Sequence, residues 1–505
     1  MSAAQDLEAA PERRLHPWSW LFVLLQQLRQ FLLPLLVLAV FGGRSGRGEH
    51  IEQWIGVAVA AALVAVAVLR YLTYRYRIGD DGISIRSGLL QRSRREIPFA
   101  RIHNVVVHQS LLHRLFGVAE VRLESAGGDK PEAEMRVLRL EQALALEQQV
   151  RHRARAGAVS AADAPAAVDA QQLLLALPLP EVLRLGLISN RGMVVVAAAF
   201  GAVYQLFPED AIADAVERYG AQLLGYASGL QLGATASALG AALLAAALLL
   251  AMRALSVILA LLQYHGFRLS ETQRRLTVER GLLARLRTSV AQRRIQAWTL
   301  HEGALHRLFG RRSLRIDTAV VDPQGEDGRA LKELAPLATP AACDALLQRL
   351  LPAIAWPPPQ WRPVAARNWW RLCLPAVLVL APASIALCAN FGAWGALPLL
   401  LLPWSALQAR QQARRMAYAL DAHYLVVRGG WWTRWWRLAE LDKLQALQLI
   451  RSPLDRRCGT ATLRLDTAGA SASAPPLRLR FLPVAEAQAL YLQLGHALAR
   501  RRLRW

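Results

Sequence analysis

A long passage of this sequence occurs twice with the same internal spacing. Each matched position of the second copy lies 193 residues after its counterpart in the first. The matched motifs are Gly-Leu-Leu at 88–90 and 281–283, Arg-Ile at 101–102 and 294–295, and His-Arg-Leu-Phe-Gly at 113–117 and 306–310. A repeat of this length is a duplicated domain, because solenoid units are only about 20–50 residues long. The chain must therefore fold as a series of related units.

A weaker third copy lies 342 residues after the first. It keeps the glycines of the first and last motifs, as Gly430 and Gly459, and its Ser452 aligns with Ser110. The His-Arg-Leu-Phe string is replaced by Asp-Arg-Arg-Cys at 455–458. We expect three related domains, of which the third has diverged most.

Composition favours a membrane protein. The 505 residues are 54% hydrophobic, and the apolar residues are concentrated in long runs. The net charge of +23 comes almost entirely from arginine. It is accompanied by no aromatic–basic RNA motif or DNA-binding helix pair, so we expect no nucleic-acid partner. The four cysteines form no Cys-x-x-Cys pair, and we expect each to be a small buried apolar residue rather than a zinc ligand or half of a disulfide.

Six apolar stretches approach the roughly 20 residues needed to cross a bilayer. They form three pairs, at 18–41 and 51–69, at 192–207 and 220–252, and at 372–391 and 393–409. Tryptophans near the ends of these stretches suit the membrane interface. The first stretch has no clear cleavage site, so we expect it to remain as an anchor. We predict six transmembrane helices in three pairs.

The distribution of arginine sets the expected orientation. The segments between pairs are arginine-rich, whereas the connections within the second and third pairs are acidic or uncharged. By the positive-inside rule, both termini and all three large segments lie in the cytoplasm. The expected location is the bacterial inner (plasma) membrane, which the chain crosses several times, so the lipid bilayer is its first partner.

Arg253 falls within one of the long apolar runs. An ionisable residue inside a membrane is by default a candidate for function. The alternative, which we favour, is that the span ends near Met252 and that the guanidinium group reaches the cytoplasmic interface.

The segments between the apolar pairs have the pattern of short strands. At 118–124 apolar and polar residues alternate, and a glycine-containing loop follows. The stretches at 314–318 and 462–466 repeat this alternation. Each segment ends in a helical pattern, at 140–155, 340–354 and 484–501. The expected fold class is α+β, in which each pair of spans is followed by a β-sandwich or barrel with a C-terminal helix.

The motif order of the first copy resembles that of a known family. Two apolar stretches come first, and a predicted strand follows them. The chain then continues with Gly88-Leu89-Leu90, Ile97-Pro98, Arg101-Ile102, Gln109-Ser110 and Leu115-Phe116-Gly117. This resembles the bacterial pleckstrin-homology-like (PH-like) membrane-flanked domain family, in the three-copy form of YdbS/YdbT-like proteins. The second copy lacks the Ile-Pro and Gln-Ser pairs, and the third keeps mainly the glycines. The resemblance implies a seven-stranded barrel-like sandwich with a C-terminal helix, and it implies no particular ligand.

The sequence contains no convincing catalytic constellation. It has no Gly-x-Gly-x-x-Gly, P-loop or Gly-x-Ser-x-Gly motif. His301-Glu302 begins a metalloprotease-like string, but His306 follows five residues later, whereas a zinc-binding helix needs a spacing of four. We therefore expect a protein that is not an enzyme, with no catalytic residue, cofactor or metal.

The repeated His-Arg-Leu-Phe-Gly motif is better interpreted as a structural turn. It occurs in two copies, which argues against a unique catalytic part. We expect Phe116 and Phe309 to be buried, and Gly117 and Gly310 to adopt positive φ.

Two groups of residues are candidates for contact with lipid or a partner. The first is a run of tryptophan and arginine that suits either a membrane interface or a domain interface; it comprises Trp431, Trp432, Arg434, Trp435, Trp436 and Arg437. The second is a set of arginines near the first turn of copies one and two, namely Arg92, Arg94, Arg95, Arg285 and Arg287. These arginines suit anionic headgroups, but membrane topology and genome composition also explain them, and we favour that explanation.

The expected function is the presentation of three cytoplasmic PH-like domains to protein partners or anionic lipid, without catalysis. Other membrane proteins and self-association are further possible partners. The alternative is a membrane component of an export, transport or envelope-stress assembly. The expected division is a helix pair at 18–70, a PH-like domain at 71–157, a linker at 158–190, a helix pair at 191–264, a PH-like domain at 265–355, a Pro/Trp-rich linker at 356–368, a helix pair at 369–409 and a PH-like domain at 410–505.

Overall fold

A computed structural model describes most of the chain. The described residues are 13–14, 16–22, 24–25, 64–65, 68–69, 71–79, 82–88, 92–99, 102–125, 133–156, 171–206, 212–214, 217–218, 234–318, 331–469 and 474–500.

Domain 1 has seven strands in two groups. The first four form a sheet in the order β1-β2-β3-β4, and the last three follow in the order β5-β6-β7. The strands are β1 (Arg13–Arg14), β2 (Arg75–Ile78), β3 (Gly82–Ser87), β4 (Ser93–Pro98), β5 (Ile102–Gln109), β6 (Val118–Ser125) and β7 (Ala133–Arg139). A short helix, α1 (Leu111–Leu115), lies between β5 and β6, and α2 (Leu140–Ala156) closes the domain.

Domain 2 repeats this plan. Its strands are β8 (Gln172–Ala176), β9 (Arg268–Thr272), β10 (Arg275–Arg280), β11 (Arg285–Ala291), β12 (Ile295–Glu302), β13 (Arg312–Thr318) and β14 (Glu333–Ala338). Its helices are α3 (Leu179–Ile188), α4 (Arg191–Leu206) and α5 (Ala234–Tyr264) before the main body, then the short α6 (Ala304–Leu308) and the closing α7 (Pro340–Leu350). The stretch predicted as a linker, 158–190, thus supplies the first strand of this domain.

Domain 3 has the same order of elements. Its strands are β15 (Arg362–Pro363), β16 (Ala417–Leu420), β17 (Tyr424–Gly429), β18 (Arg434–Glu440), β19 (Leu444–Ile450), β20 (Thr460–Thr467) and β21 (Arg478–Pro483). Its helices are α8 (Trp370–Phe391) and α9 (Leu401–Arg415), then the short α10 (Pro453–Cys458) and the closing α11 (Val484–Ala499). Among the described residues, each domain therefore has the seven strands and C-terminal helix that the family resemblance implies, and in domains 2 and 3 the first strand precedes the apolar helices.

Local sequence explains the turn that follows the fifth strand of each domain. Ser110 and Ser452 cap the short helices α1 and α10, because each hydroxyl accepts a hydrogen bond from a backbone N–H three residues later. Gly117, Gly310 and Gly459 follow the short helices α1, α6 and α10, with φ of +64°, +58° and +62°. The predicted positive φ is thus confirmed at Gly117 and Gly310, and the third copy has the same turn.

The prediction that both phenylalanines of this motif are buried is wrong. Phe116 is half-buried, and Phe309 is exposed. The arginine of the motif instead reaches the next domain. Arg114 donates to the Leu282 carbonyl at 2.8 Å, and Arg307 donates to the Trp432 carbonyl at 3.1 Å. The motif therefore contributes to the joints between domains.

The four-stranded sheets of domains 2 and 3 continue into the domain before them. Strand β11 pairs antiparallel with β5, and β18 pairs antiparallel with β12. Each joint makes one seven-stranded sheet, in the orders β7-β6-β5-β11-β10-β9-β8 and β14-β13-β12-β18-β17-β16-β15. The domain cores also merge at the second joint, where Tyr424, Val426 and Leu438 of domain 3 belong to the core of domain 2.

The arrangement of six transmembrane helices in three pairs is not supported by the described residues. They contain two stretches long and apolar enough to cross a membrane, Ala242–Tyr264 and Ala366–Arg415, or three if α3 and α4, which are bent by 49°, form one broken span. Most of the first predicted pair, at 18–41 and 51–69, lies outside the described residues.

The 366–415 stretch reverses direction at Gly392, which has φ of +56°. Helices α8 and α9 therefore lie side by side, with the Cys373 sulfur 3.7 Å from the Ser405 carbonyl. Gly395 has no room for a Cβ, which would lie 2.2 Å from the backbone nitrogen of Cys388. The third predicted pair corresponds to this helical hairpin.

The prediction that a span ends near Met252 is wrong. Helix α5 continues through Arg253 to Tyr264. The guanidinium of Arg253 donates to the carbonyls of Leu187 and Ser189, each at 3.1 Å. These carbonyls lie where α3 ends, and a helix C-terminus leaves such groups without intrahelical partners. Arg253 therefore provides hydrogen bonds to carbonyl groups that the break between α3 and α4 leaves without intrahelical partners.

The expectation that every cysteine is buried holds only in part. Cys343 is buried in domain 2, but Cys373 and Cys458 are half-buried and Cys388 is exposed. The last result follows from the place of Cys388 on α8, an apolar helix whose outer face carries few protein contacts.

Candidate functional site

In domains 2 and 3, the hairpin between the third and fourth strands lies against an apolar helix. In domain 2 the Leu282 N–H donates to the Leu262 carbonyl of α5 at 2.9 Å. In domain 3 the rings of Trp431 and Trp432 lie 5.9 and 6.2 Å from the ring of Trp404 on α9. The apolar tips of these hairpins therefore sit at the end of the domain that faces the apolar helices.

The turn after the fifth strand holds the same end of the domain to the helix that leads into the apolar pair. In domain 2, Arg311 makes two hydrogen bonds to Glu181 of α3, at 2.9 and 2.7 Å. In domain 3, Asp455 of α10 binds Arg371 of α8 at 2.8 Å. A charged contact therefore fixes each of these domains relative to its apolar helices.

The outer faces of the short helices are apolar and exposed. Leu115 of α1 and Leu308 of α6 are 77% and 76% exposed. In domain 1 the Trp18 ring lies 4.7 Å from Phe116, just after α1. Apolar side chains exposed beside helices that can cross a bilayer suit the interfacial layer, where aromatic and aliphatic groups meet the headgroups.

A cavity of about 900 Å³ opens between domain 2 and its apolar helices. Its apolar wall comes from α3, α4 and α5 and includes Leu185, Val194, Val195 and Leu259. Its polar wall comes from domain 2 and the start of α4, and it includes Arg191, Arg280, His301, His306, Arg315 and Glu333. The cavity is therefore amphipathic, and its two halves come from different layers of the molecule.

Glu333 is the centre of the polar wall. Its carboxylate lies 3.3 Å from Arg315, 3.9 Å from Arg191 and 4.0 Å from Arg280, and the Tyr264 hydroxyl donates to it. Burial raises the pKa of Glu333, but the three arginines and the tyrosine outweigh it and lower the pKa overall. Three guanidinium groups thus share one ionised carboxylate, and the wall keeps an excess of positive charge.

Tyr264 fixes two of these arginines. The guanidinium carbons of Arg191 and Arg280 lie 4.5 and 5.1 Å from the centre of its ring. Arg191 also donates hydrogen bonds to the Gln263 side chain and to the Tyr264 hydroxyl. The aromatic ring and these polar partners therefore fix the orientation of the two guanidinium groups at the wall of the cavity.

Two neutral histidines complete the polar wall. The rings of His301 and His306 lie 5.6 Å apart. Burial, with a smaller effect of Arg315, lowers the pKa of His301 to about 4 and lowers that of His306. Both rings are neutral at pH 7, so they offer hydrogen bonds and add no charge.

The residues predicted from the sequence lie elsewhere and fall into separate groups. Arg92, Arg94 and Arg95 are exposed at or on β4. Arg285 and Arg287 are on β11, at the joint between domains 1 and 2, where Arg287 lies 3.3 Å from Glu147. None of the five lines the cavity.

The run of tryptophan and arginine divides between two environments. Trp431 and Trp432 form the hairpin tip beside Trp404. The rest of the run lies on β18, which is paired with domain 2, and comprises Arg434, Trp435, Trp436 and Arg437. Arg437 is buried there against Asp317, at 2.6 Å.

Sequence reasoning missed the cavity residues. They come from six separate segments of the chain, and only folding brings Arg191, Arg280, Arg315 and Glu333 together. One signal was available at Arg280, because the corresponding position is Ser87 in the first copy and Gly429 in the third. An arginine specific to one copy points to a role beyond the shared fold.

A model of the bacterial PH domain family matches residues 23–154, 222–349 and 372–498. The chain belongs to the bacterial PH domain family. It is 22% identical over 411 residues to UPF0699 transmembrane protein YdbT of Bacillus subtilis (strain 168), which covers 77% of this chain and 79% of that protein. No solved structure matches the chain. The protein is thus a three-copy bacterial PH-domain protein similar to a transmembrane protein.

Among the described residues, no group of three or more histidine, cysteine, aspartate or glutamate side chains is placed to hold a metal ion.

Proposed function

We propose that this protein is a membrane-anchored array of three PH domains that binds an anionic lipid without catalysing a reaction. The lipid headgroup occupies the polar wall of the domain 2 cavity, and its acyl chains lie along the apolar wall. In this arrangement the domains face the cytoplasm, where anionic lipid and the arginine-rich segments meet.

The observation that carries the proposal is the combination of charge and apolar surface in one cavity. Arg191, Arg280 and Arg315 surround a single carboxylate, Glu333, so three positive charges face one negative charge. Guanidinium groups bind phosphate oxygens through paired N–H donors. Val194 and Val195, on the opposite wall, belong to an apolar helix and suit a hydrocarbon chain.

The proposal puts the site at the depth of the lipid headgroups. The Leu282 hairpin contacts α5 next to the cavity, and Leu283 and Leu286 line it. A soluble anion would satisfy the arginines but would leave the apolar wall uncovered. A lipid satisfies both halves, which is why we favour it over a free phosphate.

Loss of the cavity arginines is expected to weaken anionic-lipid binding. In Arg280→Gln/Arg315→Gln, two charge-assisted contacts worth roughly 1.5–3 kcal/mol each are removed, so affinity falls by at least about tenfold. The full chain in neutral detergent is titrated with phosphatidylglycerol or phosphatidylcholine of the same acyl chains. Native mass spectrometry and thermal unfolding report the binding.

The control is Arg293→Gln, since Arg293 is an exposed arginine at the far end of β11. It removes one positive charge and leaves the cavity intact. Arg315→Gln alone, at a residue whose side chain is 49% exposed, covers the case in which the double variant folds poorly. Equal binding of the two lipids by the wild-type chain would contradict the proposal. So would an Arg293→Gln variant as weak as the double variant.

A further inference from the structure

The two joints between domains follow one rule. In the first, Arg285 lies opposite Gln109, and in the second, Arg434 lies opposite Glu302. Gln109 and Glu302 are 193 residues apart, which is the repeat length, and Arg285 and Arg434 both correspond to Arg92 of the first copy. The fourth strand of each later domain therefore pairs with the fifth strand of the domain before it, in the same register.

This rule leaves one strand of each kind without such a partner among the described residues. Strand β4 of domain 1 is an edge of its sheet, and β19 of domain 3 is an edge of the other end sheet. They correspond to the strands that make the two joints. Because each joint connects unlike surfaces, a chain of three domains necessarily ends in two complementary edges.

Burial shows what the joints cover. Val106 of β5 and Thr299 of β12 are 0% and 4% exposed, whereas Gln448, at the same position of β19, is exposed. The fourth strands behave alike, since Arg437 is buried and Arg95, its counterpart in β4, is exposed. The surfaces left open at the two ends are those that the internal joints bury.

The charges at the open ends also match. At the second joint, Arg437 binds Asp317 at 2.6 Å. The corresponding residues at the open ends are Arg95, on β4, and Asp466, on β20 next to β19. Arginine on an edge strand commonly discourages pairing. Here the arginine occupies the position that is ion-paired at the second joint, and an acidic counterpart stands at the other end of the chain.

We propose that β4 of one copy of this chain adds to β19 of a second copy, in the register of the internal joints. Arg95 then lies opposite Gln448, and its guanidinium meets Asp466. The backbone hydrogen bonds of strand addition provide affinity, and the ion pair fixes the register. Copies confined to one membrane meet at high effective concentration, which favours the pairing of one edge strand with another. The result is a head-to-tail row of PH domains, independent of whether the domain 2 cavity binds lipid.

Directed disulfide formation tests the pairing. Two tagged versions of the full chain are made in a background without native cysteines, one carrying Ser93→Cys and the other Ile450→Cys, which lie opposite each other in the proposed register and leave Arg95 and Asp466 intact. We expect oxidation of membranes that contain both to give a covalent pair bearing both tags, and neither version alone to crosslink. The intrachain pair Gln109→Cys with Arg285→Cys, directly opposite at the first joint, is the positive control.

Two outcomes would overturn the proposal. One is the absence of a mixed pair when the intrachain control crosslinks. The other is a crosslinked pair of Ser93→Cys chains alone, because this requires like edges to meet.

A charge swap tests the register separately. Arg95→Glu is expected to weaken self-association in detergent by at least about tenfold, and Asp466→Arg in the same chain is expected to restore it. Arg86→Glu, at an exposed arginine on the neighbouring strand β3, is the matched control. Because the charge of Asp466 also acts on Arg437, thermal unfolding confirms that each variant is folded. Loss of association that Asp466→Arg fails to restore in a folded chain would contradict the proposed pairing.

Discussion

Replacing Asp317 with alanine is expected to lower the free energy of unfolding of the joined domains 2 and 3 by roughly 3–5 kcal/mol. The substitution leaves Arg437 buried at 2% exposure without the carboxylate 2.6 Å away. Burial lowers the pKa of Arg437, and the charge of Asp317 opposes that effect. A buried guanidinium that loses such a partner has no water to replace it. The large cost therefore comes from the charge that remains.

The double variant separates this explanation from simple loss of packing. Removal of both charges, in Asp317→Ala/Arg437→Met, is expected to cost less than Asp317→Ala alone, because no buried charge is left. Chemical unfolding of the full chain in detergent, followed by tryptophan fluorescence, measures both. Asp421→Ala, at an exposed aspartate in the β16–β17 turn, is the matched control. If Asp317→Ala lowers the free energy of unfolding no more than this control does, the ion pair of Asp317 and Arg437 contributes little to stability.

Asp455→Ala is expected to have the second large effect, because it releases domain 3 from its helical hairpin. The Asp455 side chain is 3% exposed and lies 2.8 Å from Arg371 of α8. It also accepts hydrogen bonds from Ser452 and from the Thr460 hydroxyl. Loss of one partner of a buried ion pair costs roughly 3–5 kcal/mol. The short helix α10 loses its capping box at the same time.

The same group predicts a pH dependence. Burial raises the pKa of Asp455, but the hydrogen bonds from Arg371, Ser452 and Thr460 outweigh it and lower the pKa to about 2, from an ordinary value of 3.8. A lowered carboxyl pKa means that the stabilisation is complete above pH 3.8 and is lost as the pH falls through 2. Asp455→Asn should therefore reduce the pH dependence in this window by the contribution of this one carboxylate. Thermal unfolding at a series of acidic pH values measures this effect. If the unfolding temperature of Asp455→Asn falls with pH as steeply as that of the wild-type chain, the prediction is contradicted.

Much of the fold could be predicted because the repeat and the strand pattern are local. The alternation at 118–124 predicts β6, and the glycine of the repeated motif predicts the left-handed turn at Gly117. The weak third copy was also readable, since Ser452 aligns with Ser110 and caps the equivalent helix. These features depend on residues that are close together in the chain, so they can be predicted from the sequence.

The joints between domains could not be predicted in this way. Pairing of β11 with β5 depends on which sheet edges meet after each domain has folded. For the same reason, the tryptophan–arginine run was ambiguous, and Arg437 proved to be a buried partner of Asp317. The sequence pattern predicts a linker where the first strand of domain 2 lies, because β8 comes before the apolar helices and far along the chain from the rest of its sheet.

The apolar helices show another limit of the sequence. Hydropathy marks apolar runs but does not show where a helix bends. The break between α3 and α4, and the position of Arg253 beside it, could therefore not be predicted. The cavity of domain 2 combines residues from six separate segments, so no local pattern reveals it.

The most direct test of this account is hydrogen–deuterium exchange of the full chain in lipid nanodiscs. The central claim is that the three domains are joined by continuous sheets rather than by flexible linkers. Backbone N–H groups on the facing edges of β5 and β11, and of β12 and β18, should then exchange as slowly as those in the middle of each domain. Exchange at these four strands as fast as that of exposed sheet edges would show that the domains are separate, and would contradict the account.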